Sequence, residues 1–412
     1  MATSTQEMVR PSKCLDVYYY DEETSTRQCF PTTVNTKYVQ QFQNLTGGSS
    51  AFVIPPQNGI QDVVCQFVIA GLAGGAGNGL ALPRGWGYSL VKQASFRYGG
   101  SSTYFLTGDQ LLQAALRRQP SQQTASQLLS IGGDQLSEAE LEGTDAISNV
   151  VLTLPHSTPS GVGKAHPFPT DLLTQQVQVT VELNSVSSIF SNNGGTAPTT
   201  LKSAQFQVQQ VMLNNQGDAL ARRVDMAENA YAFPAEFNQQ VQRINLLKTD
   251  GSEEELVATG FRSGEVKSLE CWLTRASDNT GNTKNPLTWY LPKSIQMTYA
   301  GEIYARFDNG SSLIWNLING NKATVVDTID LTWNGSAYVA DPILSYWVSL
   351  PFSQTMIDED AHSTLIHGKP ITNGICNLRV QPPAAANDWV LNVSYVYNTT
   401  LLFSQGTVDF VF

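Results

Sequence analysis

Apolar residues in this chain recur in short runs rather than along a helical stripe. Residues 177–183, Val-Gln-Val-Thr-Val-Glu-Leu, alternate strictly, the mark of a half-buried strand. Comparable runs, alternating or continuous, lie at 38–45, 51–54, 63–69, 94–98, 103–106, 147–154 and 204–213. Gly, Pro and Asn punctuate them, and eight such strands point to a sandwich. A second series follows at 237–246, 256–260, 266–273, 295–299, 303–307, 343–350, 375–380 and 389–397, and residues 408–412 are again strand-like. Helical pattern is scarce. The best case is 109–116, with Asp109 near its start, and 136–141 is weaker. Both lie between Leu106 and Ile147, an excursion from the sheet. Residues 308–342, rich in Asn, Gly, Thr and Ser, are its counterpart in the second series.

The two series match each other. Leu90, Lys92, Phe96, Tyr98 and Gly100 stand 201 positions before Leu291, Lys293, Met297, Tyr299 and Gly301. Upstream, 38–43 (Tyr-Val-Gln-Gln-Phe-Gln) faces 237–242 (Phe-Asn-Gln-Gln-Val-Gln), and Gly59, Cys65 and Phe67 face Gly264, Cys271 and Trp272. Downstream, 150–157 faces 346–353, and Gln216-Gly217 faces Gln405-Gly406. Five anchors in one order describe a tandem duplication of a unit of about 200 residues, the size of a domain rather than a solenoid repeat. Two homologous domains follow, each long enough to bury its own core. The expected division is 1–30, an N-terminal arm; 31–225, a first jelly roll; and 226–412, a second. Eight strands in two Greek keys make a jelly roll, so the expected fold class is all-β, two tandem eight-stranded jelly rolls with a few short helices in loops.

Charge narrows the function. Only 14% of the 412 residues are charged, and the net charge is −11, against about 25% charged residues in ordinary soluble proteins. Ser, Thr, Asn, Gln and Gly fill the deficit, a composition suited to strands, polar loops and extensive contact surfaces. The basic residues are scattered, with two Arg-Arg pairs (Arg117-Arg118 and Arg222-Arg223). No clustered basic face exists to neutralise phosphates, which disfavours direct nucleic-acid binding. The five cysteines are Cys14, Cys29, Cys65, Cys271 and Cys376, with no Cys-x-x-Cys. Neither a disulfide framework nor a zinc site is suggested, and folding in a reducing compartment follows. The N-terminus lacks the apolar core of a signal peptide. The longest uncharged stretch, 67–82, is too short for a membrane span and is broken by glycines.

Candidate chemistry is thin. The four histidines are His156, His166, His362 and His367, and no His-x-His occurs to serve a cupin metal site. His362 and His367 stand near Asp358, Glu359 and Asp360, where a solvated polar loop is favoured over a metal site. The glycines between Gly71 and Gly79 lack a Gly-Lys-Ser/Thr ending, and Gly163-Lys164-Ala165 lacks the hydroxyl that would hold Mg²⁺. A flexible surface loop is the expectation for 71–79. Acidic residues cluster at 134–142 and 253–255, where they read as solvated faces rather than a glycosidase pair. No Gly-x-Ser-x-Gly elbow is present. Asn44, Asn309, Asn334, Asn392 and Asn398 begin Asn-x-Ser/Thr triplets; Asn309 and Asn334, in the excursion, are the two of interest for glycosylation. No catalytic, cofactor-binding or metal residue is assigned.

Asn58-Gly59-Ile60-Gln61-Asp62-Val63-Val64, the run 346–352, Ile371-Thr372-Asn373-Gly374-Ile375-Cys376-Asn377-Leu378, and Val393-Ser394-Tyr395-Val396-Tyr397-Asn398 with Leu401-Leu402 and Gly406 carry a resemblance. From about Lys37 onward the chain resembles the double jelly-roll major capsid proteins of large icosahedral double-stranded DNA viruses, of the nucleocytoplasmic large DNA virus type. The final glycine-rich turn is only partly present and the tower loops are short. The resemblance implies no enzyme and no cofactor. It implies a homotrimeric capsomer of six barrels, a pseudo-hexagon tiling an icosahedral shell within the virion, made and assembled in the host cytoplasm or a virus factory. Its expected partners are neighbouring capsomers, minor capsid proteins and a penton, with residues 1–30 facing inward towards an internal membrane or minor proteins and no direct nucleic-acid contact. Two alternatives remain: a double jelly-roll glycan-processing or cupin-like enzyme, which needs a cleft with converging carboxylates or histidines, and a minor capsid or penton component.

Overall fold

The computed structural model describes residues 18–21, 26–29, 32–54, 59–73, 79–99, 103–117, 122–154, 168, 170, 173–213, 231–257, 264–279, 284–308, 325–351, 369–370, 376–404 and 406–411. The first half contains β1 (Tyr18–Asp21), β2 (Thr26–Cys29), β3 (Thr32–Gln41), β4 (Gly48–Ile54), β5 (Gly59–Ile69), β6 (Leu80–Ala81), β7 (Val91–Tyr98) and β8 (Tyr104–Thr107). It closes with β9 (Ala146–Val151), β10 (Val177–Leu183), β11 (Ser191–Asn192) and β12 (Ser203–Leu213). The second half contains β13 (Tyr231–Asn238), β14 (Gln242–Asn245), β15 (Glu254–Val257), β16 (Glu265–Arg275), β17 (Ser294–Tyr299), β18 (Glu302–Asp308), β19 (Val325–Trp333) and β20 (Tyr338–Tyr346). It closes with β21 (Val348–Pro351), β22 (Lys369–Pro370), β23 (Cys376–Gln381), β24 (Trp389–Ser404) and β25 (Thr407–Val411). The helices are α1 (Trp86–Leu90), α2 (Gly108–Arg117), α3 (Gln122–Ile131) and α4 (Glu138–Leu141).

Each half forms two facing sheets built on four strands apiece, to which the second half adds β14, β22 and β25 on its first sheet. In the first half they run β3-β12-β5-β9 and β4-β10-β7-β8; in the second, β13-β24-β16-β21 and β15-β23-β17-β18. If the eight strands of each half are counted along the chain, both halves give the orders 1-8-3-6 and 2-7-4-5. All these pairings are antiparallel. That is jelly-roll connectivity, twice, and the fold is the double jelly roll. The boundary expected at 225/226 lies outside the described residues, between β12 and β13. Within the expected N-terminal arm, β1 and β2 pair as a hairpin.

The strand pattern decides the inner faces. Val177, Val179, Val181 and Leu183 of β10 are buried, while the residues between them are half-buried. Cys65 and Cys271 sit at equivalent inward positions. Cys65 pairs with Phe206 of β12 and Val150 of β9, and Cys271 with Val393 of β24 and Val348 of β21. The repeat read from sequence set Val150 against Tyr346, two residues away. A two-residue slip keeps every side chain on its own face, so the hydrophobic pattern alone does not detect it.

Other expectations shift. The run 343–350 divides between β20, in a hairpin with β19, and β21, in the main sheet. Trp347, buried between them, supplies the apolar continuity that joins the two in sequence. The weak helix at 136–141 shrinks to the four residues of α4, closed by a capping box between Ser137 and Glu140. Helices α1 and α3 carry no clear periodic signal. The expected loop 71–79 is tied down at its start: Leu72 N donates to Leu141 O (2.7 Å) and Gly143 N to Leu72 O (2.9 Å). A Cβ on Gly71 would lie 2.5 Å from Thr144 N, so this glycine serves close backbone approach.

The two excursions occupy the same topological place, between the fifth and sixth strands of each half. The first carries α2, α3 and α4, the second the β19–β20 hairpin.

Candidate functional site

Among the described residues, polar and aromatic contacts join the two halves along a seam. Helix α2 follows β8 directly and packs on elements of the first half, from where Gln110 reaches across to the second. Gln110 is buried there. Its Nε2 donates to Gln239 O at 2.6 Å and to Ser394 Oγ at 2.7 Å, while its Oε1 accepts from Thr107 N at 3.0 Å. Ser394 Oγ also donates to Gln239 O (3.1 Å). Beside this polar knot lies an aromatic one. Tyr104 of β8 meets Phe237 of β13 (centroids 5.0 Å) and Phe410 of β25 (6.1 Å), and Phe410 also meets Phe237 (5.4 Å) and Tyr98 (6.4 Å). Strand β25 folds back on β24 and carries Phe410 into this contact. Further along, Thr174 N donates to Gly406 O (2.9 Å), and Lys284 N to Ser191 Oγ (2.8 Å).

Asp109, next to Gln110, is half-buried with protein on most sides. Burial pushes its carboxyl up to about 6, and the Arg243 guanidinium across the seam opposes that shift.

Because both halves share one topology, their first sheets can be compared position by position. On the second half, the outward positions Ser394 of β24, Glu270 of β16 and Ser349 of β21 form one cross-strand row, and all three are buried. Ser268 and Ser349 both donate to Glu270 Oε1, at 3.1 and 3.0 Å. The next outward row, Asn392, Trp272 and Trp347, is also buried; Trp272 and Trp347 flank Trp289 at 6.1 and 5.8 Å. Helix α2 covers this face at Ser394, and the chain segment carrying Trp289 covers it at the tryptophans.

The same positions on the first half are Gln207, Val64 and Val151, then Gln205, Gln66 and Asn149. All six are only half-buried. Gln205 Nε2 donates to Gln66 Oε1 (2.5 Å) and Gln66 Nε2 to Asn149 Oδ1 (3.1 Å), an amide ladder across three strands. Val39 of β3 and Ile147 of β9, on the flanks, are 42% and 53% exposed. One face is covered and its counterpart is open.

Among the described residues, those singled out from sequence do not converge on chemistry. His156, His166, His362, His367, Asp358, Glu359, Asp360, Asn309 and Gly163-Lys164-Ala165 lie outside the described residues. Among the described residues no group of three or more His, Cys, Asp or Glu side chains comes together. Cys65, Cys271 and Cys376 are buried thiols, and burial pushes Cys376 up to about 12. Asn44 and Asn334 each close a local turn: Asn44 Oδ1 accepts from Thr46 N and Asn334 Oδ1 from Ser336 N, both at 3.0 Å. Asn334 is exposed at the β19–β20 turn. Asn392 is buried and donates to Thr274 Oγ1 (3.0 Å), which removes it as a glycan acceptor. The side chain of Asn398 is outside the description.

Two carboxylates do approach each other, Asp278 and Asp388. Burial raises Asp278. Burial works against ionising Asp388 too, but hydrogen bonds from Ser277 and the Arg275 guanidinium (3.1 Å) win and hold it low. This arrangement ties two loops together. A cavity of about 270 Å³ opens at the seam between Ser89, Asn184, Ser188, Ile189, Asn279, Lys284 and Pro286. Among these lining residues Lys284 is the one charged group, with no carboxylate and no histidine.

The seam residues Gln110, Tyr104, Phe237 and Phe410 were not picked out from sequence. The available signal was Gln110 and Gln113, three apart in a helix whose residues 111–116 are otherwise Leu and Ala.

No protein-family model and no curated protein matches the chain. Solved structures do. PBCV-1 VP54, in a crystal structure fitted into a cryo-EM reconstruction of the virophage Sputnik, matches with a TM-score of 0.64 and 12% identity, over 94% of this chain and 98% of that one. The Faustovirus major capsid protein matches at 0.52 with 9% identity over 92% and 91%, and the mavirus major capsid protein at 0.52 with 10% identity over 95% and 93%. The likeness is one of fold, end to end.

Proposed function

We propose that this chain is a structural major capsid protein that associates in threes to form a capsomer of six barrels, the tile of an icosahedral shell. One observation carries the reading: two jelly rolls of identical strand order lie side by side in one chain, joined by a heterologous seam. A contact of that kind repeats head to tail, and it closes into a ring when the rotation allows. The end-to-end likeness to the Faustovirus and mavirus major capsid proteins supports it. So does the scarcity of charge, since interface cores are depleted of charged residues. On this reading the protein works in the virion shell, after synthesis in the host cytoplasm or a virus factory. It contacts neighbouring capsomers, minor capsid proteins and a penton, with residues 1–30 turned towards an internal membrane and no direct nucleic-acid contact. Presence of both barrels in one chain argues against a penton role. The seam cavity, without carboxylate or histidine in its described lining, gives an enzyme reading no support.

The test is the native mass by light scattering after size exclusion. Three copies of a 44.9 kDa chain give about 135 kDa. A protein that stays monomeric at high concentration would overturn the proposal and return attention to an enzyme.

A further inference from the structure

We propose that the cavity at the seam is a binding site for a small oxyanion, phosphate or a phosphate monoester, which bridges the two halves of one chain and strengthens their joint. The inference concerns a single copy and is independent of the capsomer reading.

The cavity lies where ligand sites commonly form, between two domains. Ser89, Asn184 and Ser188 reach it from the first half, Asn279 and Lys284 from the second. Lys284 is held there by its backbone and its neighbour rather than by an acid. Its N donates to Ser191 Oγ of the first half (2.8 Å). The buried Asn285 beside it clamps Leu331, Oδ1 accepting from Leu331 N (3.1 Å) and Nδ2 donating to Leu331 O (3.3 Å). The ammonium itself donates to Asn279 O (2.5 Å), a neutral carbonyl. Other lysines of this chain sit on carboxylates: Lys92 on Glu182, Lys202 on Asp145 and Lys267 on Glu236. No carboxylate is among the described residues that line the cavity. The acid next along the chain, Asp278, is bonded to Tyr290 and faces the charge of Arg275. A lone cation set in a concave wall focuses positive potential into the space it faces.

Ser89 supplies the second, independent observation. Its Oγ is buried and has no hydrogen-bond partner among the described residues, whereas buried hydroxyls are ordinarily satisfied. The backbone around it is fully used: Ser89 O accepts from Asn184 Nδ2 (2.9 Å) and Leu90 O from Asn184 N (2.8 Å). Those bonds fix the hydroxyl at the cavity wall. Ser188 Oγ donates to Ser185 O (2.6 Å), and a hydroxyl of this kind can rotate towards a better acceptor. One ammonium and two hydroxyls suit a tetrahedral oxyanion, whose oxygens accept charge-assisted hydrogen bonds. They suit a metal ion poorly, because the ammonium repels it. The volume of about 270 Å³ leaves room beside the phosphate for a small organic group.

The test is calorimetric titration of the full chain, with parallel thermal melts, using inorganic phosphate and then glycerol 3-phosphate at constant ionic strength against chloride. Each anion is expected to bind and to raise the melting temperature, as a ligand of the folded state must. Tighter binding of glycerol 3-phosphate identifies a monoester as the occupant, and equal binding identifies phosphate itself. Lys284→Gln and Ser89→Ala are each expected to weaken binding by about tenfold or more. Lys284→Arg keeps the charge and should retain most of it. Lys92→Gln, which removes the same charge on the outer face of β7, should leave binding unchanged; circular dichroism establishes that every variant folds. Absence of binding by both anions, or binding that survives Lys284→Gln, overturns the proposal. Neither result depends on native mass, so the capsomer reading stands or falls separately.

Discussion

The amide nitrogen of Gln110 lies 2.7 Å from the hydroxyl of Ser394, joining residues 284 positions apart across the seam. Both are buried, and the same nitrogen donates to Gln239 O. Replacing Gln110 with Ala removes these bonds and opens a void. The expected cost is about 2–3 kcal/mol, since a buried polar group left without its partner loses about 1–3 kcal/mol. Denaturant unfolding would measure it. A loss below about 0.5 kcal/mol would mean water replaces the amide without penalty, contrary to the buried geometry.

Asp109 makes the seam sensitive to pH. Its folded pKa of about 6 stands above the ordinary 3.8, so the native state favours the protonated form. Its contribution to stability is fully present below about 3.8 and is lost as pH rises through 6. Asp109→Asn should therefore match the wild type near pH 4 and exceed it near pH 7.5 by about 1–3 kcal/mol, at 1.36 kcal/mol per unit. Parallel melting curves of the two proteins across that range would refute the assignment.

The turn between β17 and β18 holds Ala300 at φ 53° and Gly301 at φ 85°, with Tyr299 paired to Glu302. Two consecutive positive φ values in a two-residue hairpin define a type I′ turn, which favours Asn-Gly. An alanine in the left-handed region costs about 1–2 kcal/mol. Ala300→Asn is expected to raise the melting temperature by about 1–3 °C for a gain of about 1 kcal/mol. No gain, or a loss, would show that the turn is not of this type in solution.

Cys65, Cys271 and Cys376 are buried, and burial raises all three thiols. Thiolate is the reactive form. These three should be modified by a thiol reagent at neutral pH only at the rate of unfolding, and rapidly in denaturant. Mass spectrometry of each cysteine peptide would show it. Fast labelling of Cys271 in the native protein would contradict the packing described for β16.

Much of this fold was legible because a sheet writes its inner face into the sequence with a period of two. The alternation in 177–183 marked strands, and five anchors in one order, Cys65 and Cys271 within one of them, marked the duplication. What the pattern cannot carry is a displacement by an even number of residues, hence the misplaced equivalence of Val150 and Tyr346. Nor can it separate β20 from β21, because Trp347 keeps the run apolar. The seam was illegible for a different reason. Gln110 and Ser394 read as surface residues, and only their meeting makes them interior. Conversely, Gln66, Gln205 and Asn149 look like ordinary polar strand residues until Trp272, Asn392 and Trp347 are seen buried at the same positions.

Strand β25 comes after every other element of both sheets, yet Phe410 fills the space between Tyr98, Tyr104 and Phe237. Domains tend to fold in the order they leave the ribosome, so the first barrel can form while the second is still being made. Gln110, Tyr104 and Phe237 can then close part of the joint, but it lacks its last aromatic ring until Phe410 emerges. We predict that nascent chains stalled before residue 407 show proteolysis between the halves that chains stalled with Phe410 outside the exit tunnel resist. Equal resistance would place completion of the joint earlier. If the prediction holds, translation itself times the protein: a copy acquires its fixed shape, and with it the ability to meet another copy, only as its closing strand arrives.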